Sequence, residues 1–273
     1  MGKGRRLDVC LLENGLSESI EKAKKIIIAG WVKVNGETVH TPSKIISCTE
    51  RIVVERPSGI FVSRGGEKLQ HALDHFGISV KERVVADLGS STGGFTDCLL
   101  KNGVCKVYAI DVGYGQLDYR LRNDDKVVVL ERTNVRNIEK KHFNDIIDFV
   151  TADLSFISII KVFSSIRDNI SPDDGIILIK PQFEAKSYEH NNGVVRDKED
   201  HSKILKRVLT SLFDKGAVFR GLTYSPIKGP AGNIEFLFYF SIGLYDQFEE
   251  YNNDIELIID CVVEESHRIL NNS

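Results

Sequence analysis

The chain has 273 residues and a formal charge of −3, with 42% apolar and 27% charged residues, which fits a folded protein with a substantial core and disfavours a disordered or collagen-like one. Its longest apolar candidate, 236–244, is interrupted by Ser241 and Gly243 and is too short to span a bilayer; the basic start lacks the apolar centre of a secretion signal, so a cytoplasmic protein without a membrane partner is expected. Cysteines at 10, 48, 98, 105 and 261 form no Cys-x-x-Cys pair and have no histidines at metal spacing, which excludes a disulfide framework and a metal site and predicts buried thiols.

Residues 1–59 read as a small α+β module with a net charge of +3, so residues 60–273 carry the compensating −6. Leu7, Leu11 and Leu12 mark one face of a short helix that stops at Asn14-Gly15. A second helix follows, with Ser17 as its cap, Glu18 and Glu21 in its first turn, Ile20, Ala23 and Ile27 on its inner face, and Gly30 at its end. Lys22, Lys24 and Lys25 lie away from that face. Trp31 to Val34, the Asn35-Gly36 turn and Glu37 to Val39 predict a hairpin, and Arg51 to Glu55 another strand. Pro57-Ser58-Gly59 is the predicted linker.

Phe61 to Phe76 contains Ser63-Arg64-Gly65-Gly66 and then a helical pattern with Lys68 near its start. Next comes the stretch that organises the rest, Val84 to Leu100. Apolar residues lead to Asp87, a turn of Gly89-Ser90-Ser91-Thr92-Gly93-Gly94 follows, and Phe95, Leu99 and Leu100 recur at helical spacing. Strand, glycine turn and helix N-terminus form a ligand cradle. No Lys-Ser/Thr pair closes the turn and Asp87 would repel a pyrophosphate, so a dinucleotide is disfavoured. A second strand, 106–110, ends at Asp111, where an acid can accept both ribose hydroxyls of an adenosine. An acid before the turn and another after the next strand resemble the S-adenosylmethionine methyltransferases, which implies a Rossmann-like α/β sheet and S-adenosylmethionine as cofactor. That resemblance places Asp87, Gly89, Ser91, Thr92, Gly93, Gly94, Phe95 and Asp111 around the donor. Asn134, in the loop after a third strand at 127–130, would lie beside the adenine or serve as a turn residue.

A fourth strand at 146–150 leads to Asp153, and a fifth at 175–179 to Lys180, both at the edge where open α/β sheets hold ligands. Residues 184–199 predict a mobile loop over the site. A helix at 200–215, a strand at 218–223, a strand at 234–240 containing Glu235, and an amphipathic C-terminal helix complete the chain. A carboxylate within an apolar strand requires a partner.

"RLDVCLLENGL" and "SIEKAKKIIIAGWVKVNG" resemble the RNA-binding module first seen in a small-subunit ribosomal protein, with a departure at Ile20, where an arginine is usual. The resemblance implies RNA contacts from Arg5, Arg6, Lys22, Lys24 and Lys25. Lys68, Asp153, Lys180 and Glu235 are similar to the Lys-Asp-Lys-Glu tetrad of FtsJ-type RNA 2′-O-methyltransferases. The ordered motifs "SRGGEKL", "DLGSSTGGFTDCLL", "ERTNVR", "TADLSF", "IKPQFE" and "NIEFLF" resemble the haemolysin A (TlyA-type) family, which joins such a module to such a domain. That family implies methylation of a ribose 2′-hydroxyl in ribosomal RNA, with Lys180 acting on the hydroxyl beside the positive Lys68, Asp153 and Glu235 orienting the two lysines by hydrogen bonds, and Arg64 near the RNA. Rival functions are a membrane-lytic protein, after the family name, an RNA-binding protein with a non-catalytic donor site, and a methyltransferase acting on a base or a small molecule, against which the tetrad argues.

Overall fold

A computed structural model describes residues 4–17, 19–28, 30–47, 50–54, 61–229, 231–243 and 252–271. Glu18, Cys48, Glu55, the Pro57-Ser58-Gly59 linker, Pro230 and Leu244 lie outside the described residues. The chain divides into two compact units, Met1–Gly59 and Ile60–Ser273.

In the first unit β1 (Arg5–Arg6) runs into α1 (Leu7–Glu13), followed by α2 (Ile20–Ile28), β2 (Val32–Val34), β3 (Glu37–Thr38), β4 (Ile45–Ile46) and β5 (Ile52–Val54). Leu7 and Leu11 of α1 and Ala23 and Ile27 of α2 are fully buried beside Val32 and Ile46. Leu12 is exposed because the buried stripe runs through Leu7, Cys10 and Leu11, one helical step away from it. Ile20, at the first position of α2, is also exposed. The cap of α2 is Ser19, whose Oγ accepts the Lys22 N–H at 3.1 Å; the expected cap, Ser17, donates to the Ser19 carbonyl instead. Asn35 and Gly36 both adopt left-handed backbone, φ 53° and 91°, the requirement of a two-residue hairpin turn, and β2 pairs antiparallel with β3 and β5. The pairing of β1 with β4 has no counterpart in the sequence pattern.

The second unit is a seven-stranded sheet built from β6 (Val84–Leu88), β7 (Lys106–Ile110), β8 (Val127–Leu130), β9 (Phe149–Ala152), β10 (Asp174–Ile179), β11 (Ala217–Tyr224) and β12 (Phe236–Ile242). The order is β11-β12-β10-β9-β6-β7-β8, parallel except where β12 runs antiparallel to β10 and β11. The chain winds outward from β6 to β7 and β8 on one side, then crosses back to β9 and β10 on the other. The switch lies between β6 and β9, whose carboxyl ends therefore border the natural ligand crevice. Helices α3 (Gly65–Phe76) and α4 (Gly94–Lys101) cover one face through Leu69, Leu73, Phe95 and Leu99. The short α5 (Tyr119–Arg122) packs Leu121 near the β7–β8 edge, and α6 (Phe163–Ser165), α7 (Pro181–Glu184), α8 (Lys198–Phe213) and α9 (Asn252–Leu270) follow in order. The opposite face packs on α8 and α9, where Ile204, Val208, Ile259 and Val263 meet strand residues Ala86, Val150 and Phe236.

Four expectations need correction. The fourth strand starts at Phe149, because Asp145 is held by Lys106 and Tyr108 at 2.6 Å each and the exposed Ile146 turns away from the sheet. The last strand starts at Phe236, which leaves Glu235 one residue ahead of it. The 184–199 segment is anchored rather than loose: Arg207 grips the buried Glu189 at 2.8 Å, and Asn233 bonds Val195 N and Gly193 O at 3.0 Å each. Cys10 and Cys98 are buried as expected, but Cys105 and Cys261 are exposed.

Candidate active site

The site begins with a close contact between two helix starts. Gly94 lies so near α3 that a Cβ there would sit 2.2 Å from Ser63 Oγ and 3.0 Å from Gly66 N. This contact, possible only without a side chain, sets the first turn of α3 beside the glycine turn and carries Lys68 inward, to 7% exposure. Its ammonium donates to Glu235 Oε2, and Glu235 is only 1% exposed. Glu235 Oε1 accepts from Gln182 Nε2 at 3.4 Å and lies against Gly229, where a Cβ would come within 2.6 Å of it. Arg64 steadies that stretch by donating to the Lys228 carbonyl at 3.2 Å.

A second pair stands at the ends of β9 and β10. Lys180 Nζ lies 2.7 Å from Asp153 Oδ1 and donates to Ser155 Oγ at 2.8 Å. The Asp153 N–H is bonded to the Leu88 carbonyl at 2.9 Å, and a Cβ on Gly89 would sit 2.5 Å from the Asp153 carbonyl oxygen. Only glycine lets the turn and the Asp153 segment meet. The four residues singled out in the sequence thus form two lysine–carboxylate pairs. Gln182 connects one pair to the segment that carries the other, and Gly89 connects the second pair to the turn.

Within the turn Gly89, Ser91 and Gly93 have positive φ of 83°, 48° and 98°. Asp111 secures it from the end of β7: its Oδ2 accepts the Ser91 N–H at 2.8 Å and its Oδ1 the Gly113 N–H at 2.7 Å. Each carboxylate oxygen keeps a further lone pair for a ligand hydroxyl. Ser91 is exposed and Thr92 half-buried, so both border the crevice. Asp87, Phe95, Gly93 and Gly94, also expected at the donor, are buried. Asp87 is 0% exposed and accepts hydroxyl hydrogens from Thr96 at 2.6 Å and Thr151 at 2.9 Å, so it braces the turn from beneath. Burial pushes its carboxyl up to about 7, against the pull of those two hydroxyls. Phe95 belongs to the core, and Gly93 and Gly94 are buried against Leu121 and Ser63. Asn134 spends its side-chain oxygen on the Arg136 N–H at 3.0 Å, which is the turn-residue alternative.

In the first unit Lys22, Lys24 and Lys25 are exposed along α2. Arg5 pairs with Glu13 at 2.6 Å, and Arg6 forks onto the buried Asp8 at 3.0 and 2.8 Å, holding that carboxyl below its usual range. Any phosphate contact by either arginine competes with these partners. Sequence reasoning passed over Ser155, Gln182 and Phe156. Phe156 is 91% exposed at a positive φ of 64°, with its ring 5.2 Å from that of Phe183. All three lie inside the "TADLSF" and "IKPQFE" motifs, which was the one available signal.

Comparison with known proteins fits this geometry. Residues 61–242 match the FtsJ-like methyltransferase model, and residues 5–52 match the S4 domain. The chain belongs to the FtsJ-like methyltransferase family. Hemolysin A of Brachyspira hyodysenteriae is 45% identical over 240 residues, 87% of this chain and 100% of that protein. The 16S/23S rRNA (cytidine-2'-O)-methyltransferase TlyA of Mycobacterium tuberculosis is 41% identical over 239 residues, 86% of this chain and 89% of that one. A solved structure that carries the hemolysin name, from Streptococcus thermophilus, aligns with a TM-score of 0.77 at 36% identity, covering 99% of this chain and 98% of its own. In this FtsJ-like methyltransferase, among the described residues, no helix is long and apolar enough to cross a membrane and no cluster of side chains could hold a metal ion.

The two ion pairs give the FtsJ-like unit its chemical capacity. Lys180 donates to the Ser155 hydroxyl and is ion-paired with Asp153, at the strand end beside the glycine turn.

Proposed function

We propose that this protein methylates a ribose 2′-hydroxyl of ribosomal RNA with S-adenosylmethionine as donor. The observation that carries the reading is the placement of the Lys180–Asp153 pair directly beside the glycine turn. The crevice fits the donor: Asp111 offers carboxylate oxygens to ribose hydroxyls, Ser91 and Thr92 line the turn, and Asp111 and Asp153 suit a cationic sulfonium. Bound there, S-adenosylmethionine supplies an electrophilic methyl group. Lys180, once it has given a proton to solvent and stands as the neutral amine, takes the 2′-hydroxyl proton at Nζ as the oxygen attacks the sulfonium methyl, while Asp153 and Ser155 hold Nζ in line and balance the charge it gains. Lys68, neutralised by Glu235, steadies the developing oxygen charge. Alignment is the protein's main contribution. The exposed Phe156 ring offers a face on which a base can stack.

Residues 1–59 serve as the RNA-binding module and 60–273 as the methyltransferase domain. Lys22, Lys24, Lys25, Arg5, Arg6 and Arg64 supply phosphate contacts, and the reaction takes place in the cytoplasm with the ribosomal RNA. The names of the relatives support a cytidine as the target nucleotide. The experiment is a map of ribose methylation in ribosomal RNA incubated with donor and the full chain. New 2′-O-methyl groups, absent when Lys180→Ala replaces the wild type, are the expected result. Donor binding without any methylated ribose would leave the non-catalytic alternative standing.

A further inference from the structure

The two oxygens of Glu235 face different partners. Oε2 accepts from the Lys68 ammonium and Oε1 from the Gln182 side chain at 3.4 Å. A carboxylate only accepts hydrogen bonds, so the Gln182 amide must turn its NH2 group toward Glu235, and its own Oε1 then points away. That oxygen is buried and has no partner. The flank of Glu235 next to Gly229 is backbone, and among the described residues no other side chain donates to Glu235 Oε1. Gln182 also stands two residues after Lys180, at the start of α7. The segment that carries one lysine therefore touches the carboxylate that holds the other. A buried amide oxygen left unbonded is costly to keep at a place where an apolar side chain of similar shape would pack.

We propose that Gln182 is a positioning residue for methyl transfer: it fixes the Glu235 carboxylate, and through it Lys68 Nζ, relative to Lys180. The proposal rests on the functional reading above. In the resting protein the contact is long, and shortening it would draw Glu235 and Lys68 toward the segment that begins at Lys180. Gln182 acts through Glu235, so its removal is felt in turnover and leaves the donor crevice and the RNA-binding surface unchanged.

The test uses the full chain and two variants. Gln182→Met keeps length and apolar bulk but removes the amide; Gln182→Asn keeps the amide but withdraws it by one carbon, and it stands in if the first variant does not melt cooperatively. Either should lower kcat about ten- to a hundred-fold with KM for RNA and for S-adenosylmethionine unchanged. In a Glu235→Gln background the same change should have no further effect, because the residue it acts through is already altered. Gln182→Glu, which sets a second carboxylate beside Glu235 and so favours charged lysines, should displace the rate–pH profile to higher pH. An activity-independent measurement accompanies these: the carboxyl 13C resonance of Glu235, specifically labelled, should shift in Gln182→Met relative to wild type at a fixed pH, since a hydrogen-bond donor to Oε1 has been removed. Unchanged kcat, additive effects in the Glu235→Gln background or an unmoved Glu235 carboxyl resonance would each overturn the proposal. A wild-type chain that methylates no ribose would overturn the functional reading instead, and the carbon resonance would still decide whether Gln182 governs Glu235.

Discussion

Lysines in the two units of this protein are treated in opposite ways. Lys24 and Lys25 stand exposed on α2 of the first unit, whereas Lys68 and Lys180 of the second are nearly removed from water and each faces a carboxylate. An exposed ammonium is a screened point charge on a flexible stem, useful wherever a phosphate passes. One enclosed with a carboxylate has a fixed position and a charge that depends on its partner. The contrast separates attraction from chemistry within one chain, and it can be broken at either end.

The largest effect should come from Lys180→Ala. If Lys180 takes the 2′-proton as proposed, its loss should cost about a hundred- to ten-thousand-fold in turnover, while calorimetry of donor binding and filter binding of RNA stay at wild-type values. Retained turnover would remove Lys180 from the chemistry.

Glu235→Gln sharpens the difference between the two buried pairs. It leaves the Lys68 ammonium enclosed without its counter-charge, which should cost about 3–5 kcal/mol of unfolding free energy. Asp153→Asn should cost less, because Asp153 keeps 22% of its side chain in contact with solvent. Urea denaturation of both variants tests the ranking, and equal losses would contradict it.

Asp87 gives the pH dependence. Its folded value is raised from 3.8 to about 7, so the folded chain holds this proton where the unfolded chain has released it. Stability from this group is therefore present below about 4 and is lost as pH rises toward about 7, by at most about 4 kcal/mol. Asp87→Asn cannot ionise. Its unfolding free energy relative to wild type should improve between pH of about 5 and about 8, as measured by denaturant titration at several pH values. A constant difference would mean that Asp87 titrates alike in both states.

Asp111→Ala should weaken S-adenosylmethionine binding by roughly 1.5–3 kcal/mol, the worth of a hydrogen bond to a charged group. Calorimetry on a folded variant measures it, and unchanged affinity would move the ribose contact elsewhere.

The smallest effect per residue belongs to the exposed lysines. Reversing Lys22, Lys24 and Lys25 to Glu should weaken RNA binding and flatten its dependence on salt, by about 0.7–0.9 in logarithmic slope for each phosphate no longer neutralised. Donor affinity and the rate at saturating RNA should not change. If the slope is unaltered, these lysines form only a solvated helix face.

Local pattern determined much of this protein. Alternation and helical spacing located β6, β7, β8 and both long C-terminal helices, and Asn35-Gly36 named its hairpin, because each signal repeats within a few residues and reports which side of an element is buried. Placement at the ligand edge of the expected sheet, with the resemblance to a Lys-Asp-Lys-Glu tetrad, grouped Lys68, Asp153, Lys180 and Glu235 as one set. Only the tertiary structure decided which lysine meets which carboxylate: Lys68 and Glu235 are 167 positions apart and join because β12 inserts beside β10. It also decided that Asp87 faces two threonines beneath the turn while Asp111 faces the crevice, a distinction of burial between two acids that look alike in sequence. Gln182, Ser155 and Phe156 went unremarked for the same reason. A glutamine, a serine and a phenylalanine carry no signal of their own, and their importance comes from neighbours that strand order and helix contacts supply.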